Sequence, residues 1–397
     1  MIKIDREFLS RQLPKFSLLI FGLTATVGAF TGGLWAGIGI GFALIMFAAI
    51  WFIEWRMPRV ETRIVFFILI VLGVCAALNL HSAQPGLSWF EWEKLVTIFL
   101  PLSLLWAPNV QKHAASPRLL MVLPLAVALG GLALGIELYL DGPLIKFLHG
   151  PSALVVQYNR GFSYLVILAF PAMAALAMTR RRQTIVPLML ILLIPASLTE
   201  SRAAKLALIV GFITILAAHF LPKLTRGVLA TLPILAVGWP FAAQRLFLDQ
   251  HDRVERLPPS WLDRMEIWDY MSYRIIEHPW LGWGLGMGSH LSPAKPHGAL
   301  YRFEVDPAAH PHNAAIQLWV ELGIAGLIFG IIFALFTLHR AGKLPATLTP
   351  FALGAWAAAF CISMIAYNFW SDSLWAAFAL TGFAFCLLAG QAHKLRF

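Results

Sequence analysis

The sequence predicts an all-α integral membrane protein with about twelve transmembrane helices, and three observations support this fold class. Of the 397 residues, 59% are hydrophobic and only 13% are charged, and long apolar segments follow one another along the chain. A water-soluble fold could not cover that much apolar surface. A helix needs about 20 apolar residues to cross the hydrocarbon core. Twelve segments approach this length: 16–32, 34–53, 64–80, 93–108, 118–140, 160–178, 184–199, 203–221, 227–244, 313–338, 350–370 and 373–390.

The fourth and seventh segments are the least regular, because Pro101 interrupts the first of them and Pro187 and Pro195 interrupt the second. Proline is tolerated in membrane helices where neighbouring groups satisfy the backbone carbonyls that it frees. Both segments are therefore predicted to be helical.

The distribution of basic residues predicts how these helices are oriented. With the N-terminus placed in the cytoplasm, more than half of the 30 Lys and Arg residues fall in the short loops on the inside. Short cytoplasmic loops of membrane proteins carry such an excess. Both termini are thus predicted to be cytoplasmic, with residues 245–312 forming a long outside loop between the ninth and tenth helices. Residues 1–397 are treated as one polytopic membrane domain.

The same features exclude several classes of function. The net charge of +10 arises mostly in the inside loops, which is not the pattern of a nucleic-acid-binding patch. Cys75, Cys361 and Cys386 lie far apart within apolar segments, which predicts free thiols rather than a disulfide or zinc site. The stretch 278-HPWLGWGLGMGSH-290 lacks the Lys-Ser/Thr of a phosphate loop, so we interpret it as a compact turn over the membrane surface.

The outside loop contains a predicted amphipathic helix, 261-WLDRMEIWDYMSYRII-276. Its polar side holds Asp263, Glu266 and Arg274, whereas Arg264 projects from the apolar side. The apolar side consists of Trp261, Met265, Trp268, Met271, Ile275 and Ile276. Arg264 either snorkels, with its stem over apolar surface, or points into a cavity of the protein.

Further polar groups lie at the outside ends of the apolar segments. Arg202 and Lys205 are three residues apart, so they share a face near the start of one helix. Free backbone amides and two cations make such a start a natural phosphate site, although basic residues at span ends also serve as interface anchors. Asp372 lies in the tight turn 368-NFWSDS-373, on the same predicted side of the membrane.

Two histidines, His310 and His312, stand at the entrance to the tenth apolar segment. They could form half of a metal site, but their segment offers only Glu304 and Asp306 as further ligands, and no metal is predicted. His312 could instead cap or pack the helix. It could also act as an acid–base group, because imidazole titrates near neutral pH.

Asn313, Gln317 and Glu321 are spaced by four residues and therefore share one face of the tenth helix. Glu321 lies on the order of 12 Å deeper than Asn313. An acidic group at that depth faces protein or a wet cavity rather than lipid. We expect Glu321 to pair with an arginine and hold it in place, with Gln317 in the same supporting stripe. Close approach of a neighbouring helix is expected at Gly323, Gly326 and Gly330.

Three stretches resemble the motifs of the bacterial O-antigen ligases. His312-Asn313, nine residues, Gly323, two residues and Gly326 fit the pattern H[NSQ]-x9-G-xx-[GTY]. The stretch 201-SRAA-204 fits S-R-[AG]-A, and 264-RMEIW-268 with 278-HPWLGWG-284 fits R-xx-[IW]-W followed by HP-x-LG-x-G. The motifs cover roughly residues 195–330. The wider superfamily includes O-antigen polymerases and oligosaccharyltransferases that glycosylate proteins.

The resemblance implies a reaction and its partners. Such an enzyme transfers O-antigen from undecaprenyl diphosphate to lipid A–core oligosaccharide at the periplasmic face of the bacterial inner membrane. It resembles the metal-independent, inverting GT-C glycosyltransferases, which need no cofactor. Residue by residue, the resemblance implies that Arg202 and Arg264 hold the diphosphate and that His312 assists the acceptor hydroxyl. Substrate binding is also expected of Lys205, Asn313 and, by a looser correspondence, Asp372.

Two alternatives stay open at the level of sequence. An O-antigen polymerase uses the same donor and differs only in its acceptor. A transporter or lipid flippase shares the layout of twelve helices with both ends inside, but we find no repeated halves and no matched pair of broken helices. The ligase is the preferred prediction, mainly because of the histidine motif.

Overall fold

The computed structural model describes residues 5–152, 154, 157–179, 181–291, 300–301 and 310–394, and the statements below concern these residues. They form α-helices, short 3-10 turns and connecting segments, with no strand among them. The α-helices of this part are α1 (Arg6–Thr26), α2 (Leu34–Glu54), α3 (Thr62–Asn79), α4 (Pro85–Ser103), α5 (Pro108–Ala114), α6 (Leu119–Tyr139), α7 (Pro143–His149), α8 (Tyr158–Ala177), α9 (Ile185–Leu198), α10 (Arg202–Phe220), α11 (Pro222–Leu235), α12 (Trp239–Asp249), α13 (His251–Val254), α14 (Pro259–Glu277), α15 (Ala314–Ala341), α16 (Thr349–Ile365) and α17 (Asp372–Lys394).

Each predicted apolar segment overlaps one of these helices or, in one case, a pair. The pair is α11 and α12, which are joined by a 3-10 turn at Ala236–Gly238. The first segment, 16–32, was placed too far along the chain, because α1 begins at Arg6 and ends at Thr26. Pro101 and Pro195 lie inside α4 and α9, as expected. The eleventh segment is shorter than predicted, because α16 ends at Ile365 and a turn follows. The all-α prediction is confirmed for the described chain.

Eight helices in the described chain are long and apolar enough to cross a membrane: Leu34–Glu54, Thr62–Asn79, Leu119–Tyr139, Tyr158–Ala177, Arg202–Phe220, Pro222–Asp249, Ala314–Ala341 and Asp372–Ala392. Two shorter apolar helices are Arg182–Leu198 and Thr349–Ile365. The two remaining predicted segments lie on α1 and α4, which carry charged side chains such as Lys15 and Glu91. The architecture is that of a multi-pass membrane protein, whereas the count of twelve spans and their orientation stay predictions.

Helix α8 lies at the centre of the bundle. Its residues from Gly161 to Leu176 are buried, and it packs against α6, α10, α16 and α17. Gly161 permits a close approach to the turn between α1 and α2, because a Cβ atom there would lie 2.2 Å from the carbonyl oxygen of Ala29. A helix enclosed in this way holds its first turn in a defined place at one end of the bundle.

Helix α15 is broken at Gly323, whose φ of 63° and ψ of −161° are not helical. The glycine-rich loop enters the break. The backbone N–H of Trp283 donates to Val320 O at 2.9 Å, and that of Gly284 donates to Glu321 O at 2.8 Å. The break frees these carbonyls, and the loop amides satisfy them. The expected continuous helix is therefore wrong at Gly323, and a loop rather than a neighbouring helix makes the close approach there.

Helix α14 confirms the helical prediction for the outside loop, but its polar face is not exposed. Glu266 is 0% exposed and Arg274 is 6% exposed, whereas Ile276, predicted on the apolar side, is 56% exposed. Arg274 pairs with Glu277 at 2.7 Å. The polar side is buried because α14 is embedded between α12 and α15, where buried polar groups need protein partners.

Candidate functional site

The first turns of several helices meet at one end of the bundle around Tyr367, which lies in the turn between α16 and α17. Its hydroxyl donates to the carbonyl oxygen of Asn159 at 2.9 Å and lies 2.8 Å from Ser163 Oγ, both on α8. Ser163 Oγ is also 3.4 Å from the hydroxyl of Ser201, which caps α10. These hydrogen bonds connect the starts of α8 and α10 with the turn between α16 and α17.

Arg202 and Arg264 are brought together at this end from different helices. Arg202 is the first residue of α10 and is exposed, and Arg264 is half-buried on α14. Burial lowers the pKa of Arg264; the charge of nearby Asp263 opposes this effect and the charge of Arg202 adds to it. One guanidinium nitrogen of Arg264 donates to Ser260 O, while Nε is buried without a hydrogen-bond partner among the described residues. The Nε of Arg264 therefore lies within the protein, whereas its direction into a cavity stays a prediction.

His312 is held by backbone contacts that determine its tautomer. Its Nδ1 is hydrogen-bonded to the carbonyl oxygen of Ala366. A carbonyl only accepts, so Nδ1 carries the proton and the neutral ring presents an unprotonated Nε2. Trp268 Nε1 donates to Pro311 O at 2.7 Å and fastens this segment to α14. His312 has a φ of 52°, a left-handed conformation that is uncommon outside glycine.

His310 lies beside His312, with the two ring centroids 4.1 Å apart. Its Nε2 is buried and has no hydrogen-bond partner in the described part of the chain. Burial, followed by the charge of His312, lowers the pKa of His310 to about 4. Burial also lowers the pKa of His312, although its bond to Ala366 opposes the shift. Both imidazoles are therefore neutral at pH 7.

Asn313 is the N-terminal cap of α15, and only one of its two side-chain polar atoms is used for capping. Its Oδ1 accepts the backbone N–H of Ile316 at 3.1 Å, which caps the helix. Its Nδ2 is buried and has no hydrogen-bond partner among the residues that the structure describes. An amide donor in this state is costly unless a ligand satisfies it.

Glu321 has neutral donors as partners, so the expected ion pair with an arginine is wrong. Its Oε2 accepts the backbone N–H of Gly286 at 2.8 Å and the indole N–H of Trp370 at 2.6 Å. Its Oε1 accepts Gln317 Nε2 at 3.1 Å. Each donor lies on a different element, so the 2% exposed carboxylate joins the broken helix, the glycine-rich loop and the turn after α16.

Gln317 extends this connection towards Tyr367. Its Nε2 also donates to Asn368 Oδ1 at 2.9 Å, and its Oε1 accepts the backbone N–H of Phe369 at 2.9 Å. The turn that carries Tyr367 and the Ala366 carbonyl is thus fixed against α15. That placement sets where the His312 ring lies.

Asp372 and Lys205 are less closely connected with the other predicted residues. Asp372 starts α17, and its carboxylate accepts the backbone N–H of Ser373 at 2.6 Å. It lies near Tyr164, whose ring is 5.8 Å from that of Tyr367. Lys205 is half-buried within the first turn of α10, and no hydrogen bond or ion pair among the described residues links it to Arg202 or His312.

Arg160 belongs to this site and was missed by the sequence analysis, which counted it only as a basic residue of an outside loop. Its guanidinium carbon is 5.7 Å from the centroid of the Tyr367 ring, and its charge contributes to the lowered pKa of His310. The sequence did contain an indication of this role, because Arg160 stands at the start of an apolar segment, as Arg202 does. Within the described part, none of Arg160, Arg202 and Arg264 forms an ion pair with a carboxylate.

A metal centre was not predicted, and the structure gives no ligand set for one in the part that it covers. No group of three or more His, Cys, Asp or Glu side chains there could hold a metal ion. Glu304 and Asp306, the further ligands considered for the two histidines, lie outside the described residues. The metal-free mechanism therefore stays a prediction.

Taken together, the fold and the site define a multi-pass helical membrane protein. At one end of its bundle lie neutral imidazoles and guanidinium groups that form no ion pair within the described part of the chain. Residues 187–331 match a family model described as O-Antigen ligase. They contain Arg202, Arg264 and His312. This stretch of the chain is therefore similar to the O-antigen ligase family.

The relatives carry a matching name at low identity. Proteins named "Putative polysaccharide ligase" in Rickettsia conorii and Rickettsia felis are each 25% identical to the chain, over 234 and 227 residues. The aligned parts cover 56% and 55% of this chain and 57% and 56% of those proteins, so the chain spans little more than half the length of these relatives. A protein with the same name from Rickettsia bellii is 23% identical over 320 residues, 77% of either chain.

Proposed function

We propose that the chain is an O-antigen ligase that transfers O-antigen from undecaprenyl diphosphate to lipid A–core oligosaccharide. One observation carries this proposal. Arginines that form no ion pair within the described part of the chain lie near a neutral imidazole at one end of a membrane bundle. The diphosphate of such a lipid carrier lies just beyond the outer leaflet. We therefore propose that the site is at the periplasmic face of the inner membrane. The name shared by the relatives supports a polysaccharide as the transferred group.

In this proposal Arg202 and Arg264 bind the diphosphate. A guanidinium group forms paired hydrogen bonds with phosphate oxygens, and it stabilises the charge that grows as the diphosphate leaves. The buried Nε of Arg264 lacks a partner, so a phosphate oxygen would complete its hydrogen bonding. The free amides at the start of α10 add to the attraction for the anion at Arg202.

His312 acts on the acceptor. The hydroxyl oxygen of the acceptor sugar attacks the anomeric carbon while the bond from that carbon to the phosphate oxygen breaks. The hydroxyl proton passes to Nε2 of His312, which the Ala366 contact leaves unprotonated. The diphosphate departs with the bonding electrons, and a single displacement inverts the anomeric configuration.

The remaining predicted residues have supporting roles. Asn313 offers its buried Nδ2–H to substrate. Gln317 and Glu321 hold the turn that orients His312. Lys205 and Asp372 are proposed to act at the edge of the site, on the anionic carrier and on the sugar respectively.

The decisive experiment reconstitutes the reaction from purified components. Protein, undecaprenyl-diphosphate-linked O-antigen and lipid A–core are incubated with EDTA, and products are followed on a lipopolysaccharide ladder gel. We expect pre-assembled O-antigen chains to be attached to core, and attachment to be lost without protein. Elongation of single repeats without core would identify a polymerase instead. Loss of activity in EDTA with recovery on adding a divalent ion would show that the metal-independent mechanism is wrong.

The pH dependence of transfer tests His312 as the base. The pKa of histidine is ordinarily near 6.5, and burial lowers that of His312. The rate constant kcat/KM is therefore expected to be flat around pH 7 and to fall only in a range that lies below pH 6.5. His312→Gln should lower the rate by about 10²–10⁴-fold and remove this acid limb. An unchanged acid limb in His312→Gln would assign the limb to another group.

A stability control is needed in the same pH range. The unfolded chain protonates histidine near pH 6.5, whereas His310 in the folded protein does so only at about 4. The unfolded state therefore binds more protons between these values, and the folded state loses stability as the pH falls through them. Thermal unfolding midpoints at each pH separate this loss from the titration of the base.

A further inference from the structure

A cavity of about 510 Å³ opens beside Arg160, next to the residues proposed to bind the diphosphate. The turn between α1 and α2 forms one wall with Thr31, Gly32 and Gly33. The start of α8 and the ring of Tyr367 form another, and apolar side chains of α7 close a third. None of the reaction steps proposed above uses this space.

Arg160 is held in the cavity wall by its stem. Gly32 lies directly against it, because a Cβ atom at Gly32 would be 2.5 Å from Cγ of Arg160. The guanidinium lies near the Tyr367 ring and has no carboxylate partner in the described part of the chain. A positioned cation without a counter-ion is suited to binding an anion.

The other lining groups suit a sugar. Asn159 and Gln157 provide amide groups, and Tyr367 provides an aromatic ring. The hydroxyl of Thr31 has no hydrogen-bond partner within the described ranges. Phe30 and Leu148 add apolar surface. Pockets that combine an apolar lining with a few polar groups bind small ligands in a defined orientation.

Tyr367 links the cavity with the proposed reaction centre. It lines the cavity, and the guanidinium of Arg160 lies 5.7 Å from the centroid of its ring. Its hydroxyl is 2.8 Å from Ser163 Oγ, which in turn is 3.4 Å from the hydroxyl of Ser201, the residue before Arg202. The cavity therefore adjoins the site on the side of α2, α7 and α8, whereas Arg202 and Arg264 come from α10 and α14.

We propose that this cavity is the acceptor subsite and that Arg160 binds a phosphate or carboxylate group on a sugar of the acceptor. The inference rests on the proposed function, which requires a second substrate beside the lipid diphosphate. The chemistry at Arg160 would also suit the diphosphate of the donor, so the experiment has to distinguish these two anions.

Steady-state kinetics with each substrate varied in turn make that distinction. Arg160→Ala is expected to raise the KM for lipid A–core about tenfold, with the KM for the lipid-linked donor and kcat at saturating acceptor unchanged. Arg160→Lys should recover part of the loss, because it keeps the charge but not the paired hydrogen bonds. With chemically dephosphorylated lipid A–core the wild type and Arg160→Ala should have equal KM values if the recognised anion is a phosphate. A difference that persists there, but disappears after reduction of the acceptor's carboxylates, would identify a carboxylate.

Filling the cavity tests the same idea without touching a charge. Gly33 lines the cavity, has an ordinary φ of −65°, and a Cβ atom there would meet no atom within 4 Å. Gly33→Leu is therefore expected to fold and to raise the KM for the acceptor. Gly37→Leu is the matched control, since Gly37 also has open space, one turn further along α2 and outside the cavity lining.

The outcomes separate the two proposals. Wild-type protein that attaches no O-antigen to core contradicts the proposed function itself. Transfer by the wild type, with an unchanged acceptor KM in Arg160→Ala and Gly33→Leu, overturns the acceptor subsite alone. A higher donor KM in Arg160→Ala, with the acceptor KM unchanged, would also overturn it and assign Arg160 to the diphosphate.

Discussion

Replacing Arg264 by alanine is expected to lower the rate of glycan transfer by at least about 10²–10³-fold while the protein remains folded. Arg264 is half-buried and its Nε has no hydrogen-bond partner. Its one described hydrogen bond, to Ser260 O, lies within its own helix. Removing the side chain therefore costs the fold little, whereas it removes the cation that we propose to stabilise the developing charge of the diphosphate.

Turnover and binding of the lipid-linked donor should be measured separately for this variant. Arg264→Lys is expected to recover a small part of the rate, because lysine supplies charge without the planar pair of donors. Arg256→Ala is the matched control, since Arg256 is an exposed arginine in the turn before α14. Full activity of Arg264→Ala would remove this residue from the reaction.

A double variant of Arg202 and Arg264 tests whether the two residues bind the same diphosphate. If Arg202 and Arg264 bind one diphosphate, the double variant should lose much less than the product of the two single losses, because groups that act as a unit are not additive. Independent, multiplicative losses would indicate two separate anion sites instead of one.

Replacing Gly323 by alanine is expected to have the largest effect on the fold. A φ of 63° with a ψ of −161° is a conformation available essentially only to glycine, and strain of this kind costs on the order of 1–3 kcal/mol. A Cβ atom would also lie 2.1 Å from the carbonyl oxygen of Trp280. The glycine-rich loop would have to leave the break in α15, and Val320 O and Glu321 O would lose their loop partners.

The measurement is the thermal unfolding midpoint in detergent, together with transfer activity. Gly323→Ala should lower the midpoint strongly and abolish activity. Gly73→Ala, within α3, is the control, because a Cβ atom there meets nothing within 4 Å and alanine favours the helix by about 1 kcal/mol. An unfolding midpoint equal to that of the wild type would show that the loop does not depend on the break.

Both predictions involve residues that the sequence analysis had already singled out, although the reasons differ. Arg264 was conspicuous because it interrupts an apolar helix face. Gly323 belonged to a motif, but its expected role was packing against a helix. The pattern of residues identified the position, and only the backbone geometry showed that the helix breaks there.

Helical periodicity describes one element at a time, which explains where the sequence analysis went wrong. It assigned Glu266 and Arg274 to the polar side of α14, but it gave no indication that both are buried. Their burial depends on α12 and α15, which are distant along the chain. For the same reason the partners of Glu321 are neutral donors from a loop and a turn rather than an arginine.

The sequence by itself determined the helical class, the positions of the apolar helices, and the candidate residues Arg202, Arg264 and His312. These features depend on composition, on periodicity and on short motifs, all of which are local. Tertiary structure alone decided that Arg160 joins them, that Ala366 selects the tautomer of His312, and that a cavity lies beside the proposed diphosphate site. Those features depend on contacts between segments far apart in the chain, and local pattern carries no information about which segments meet.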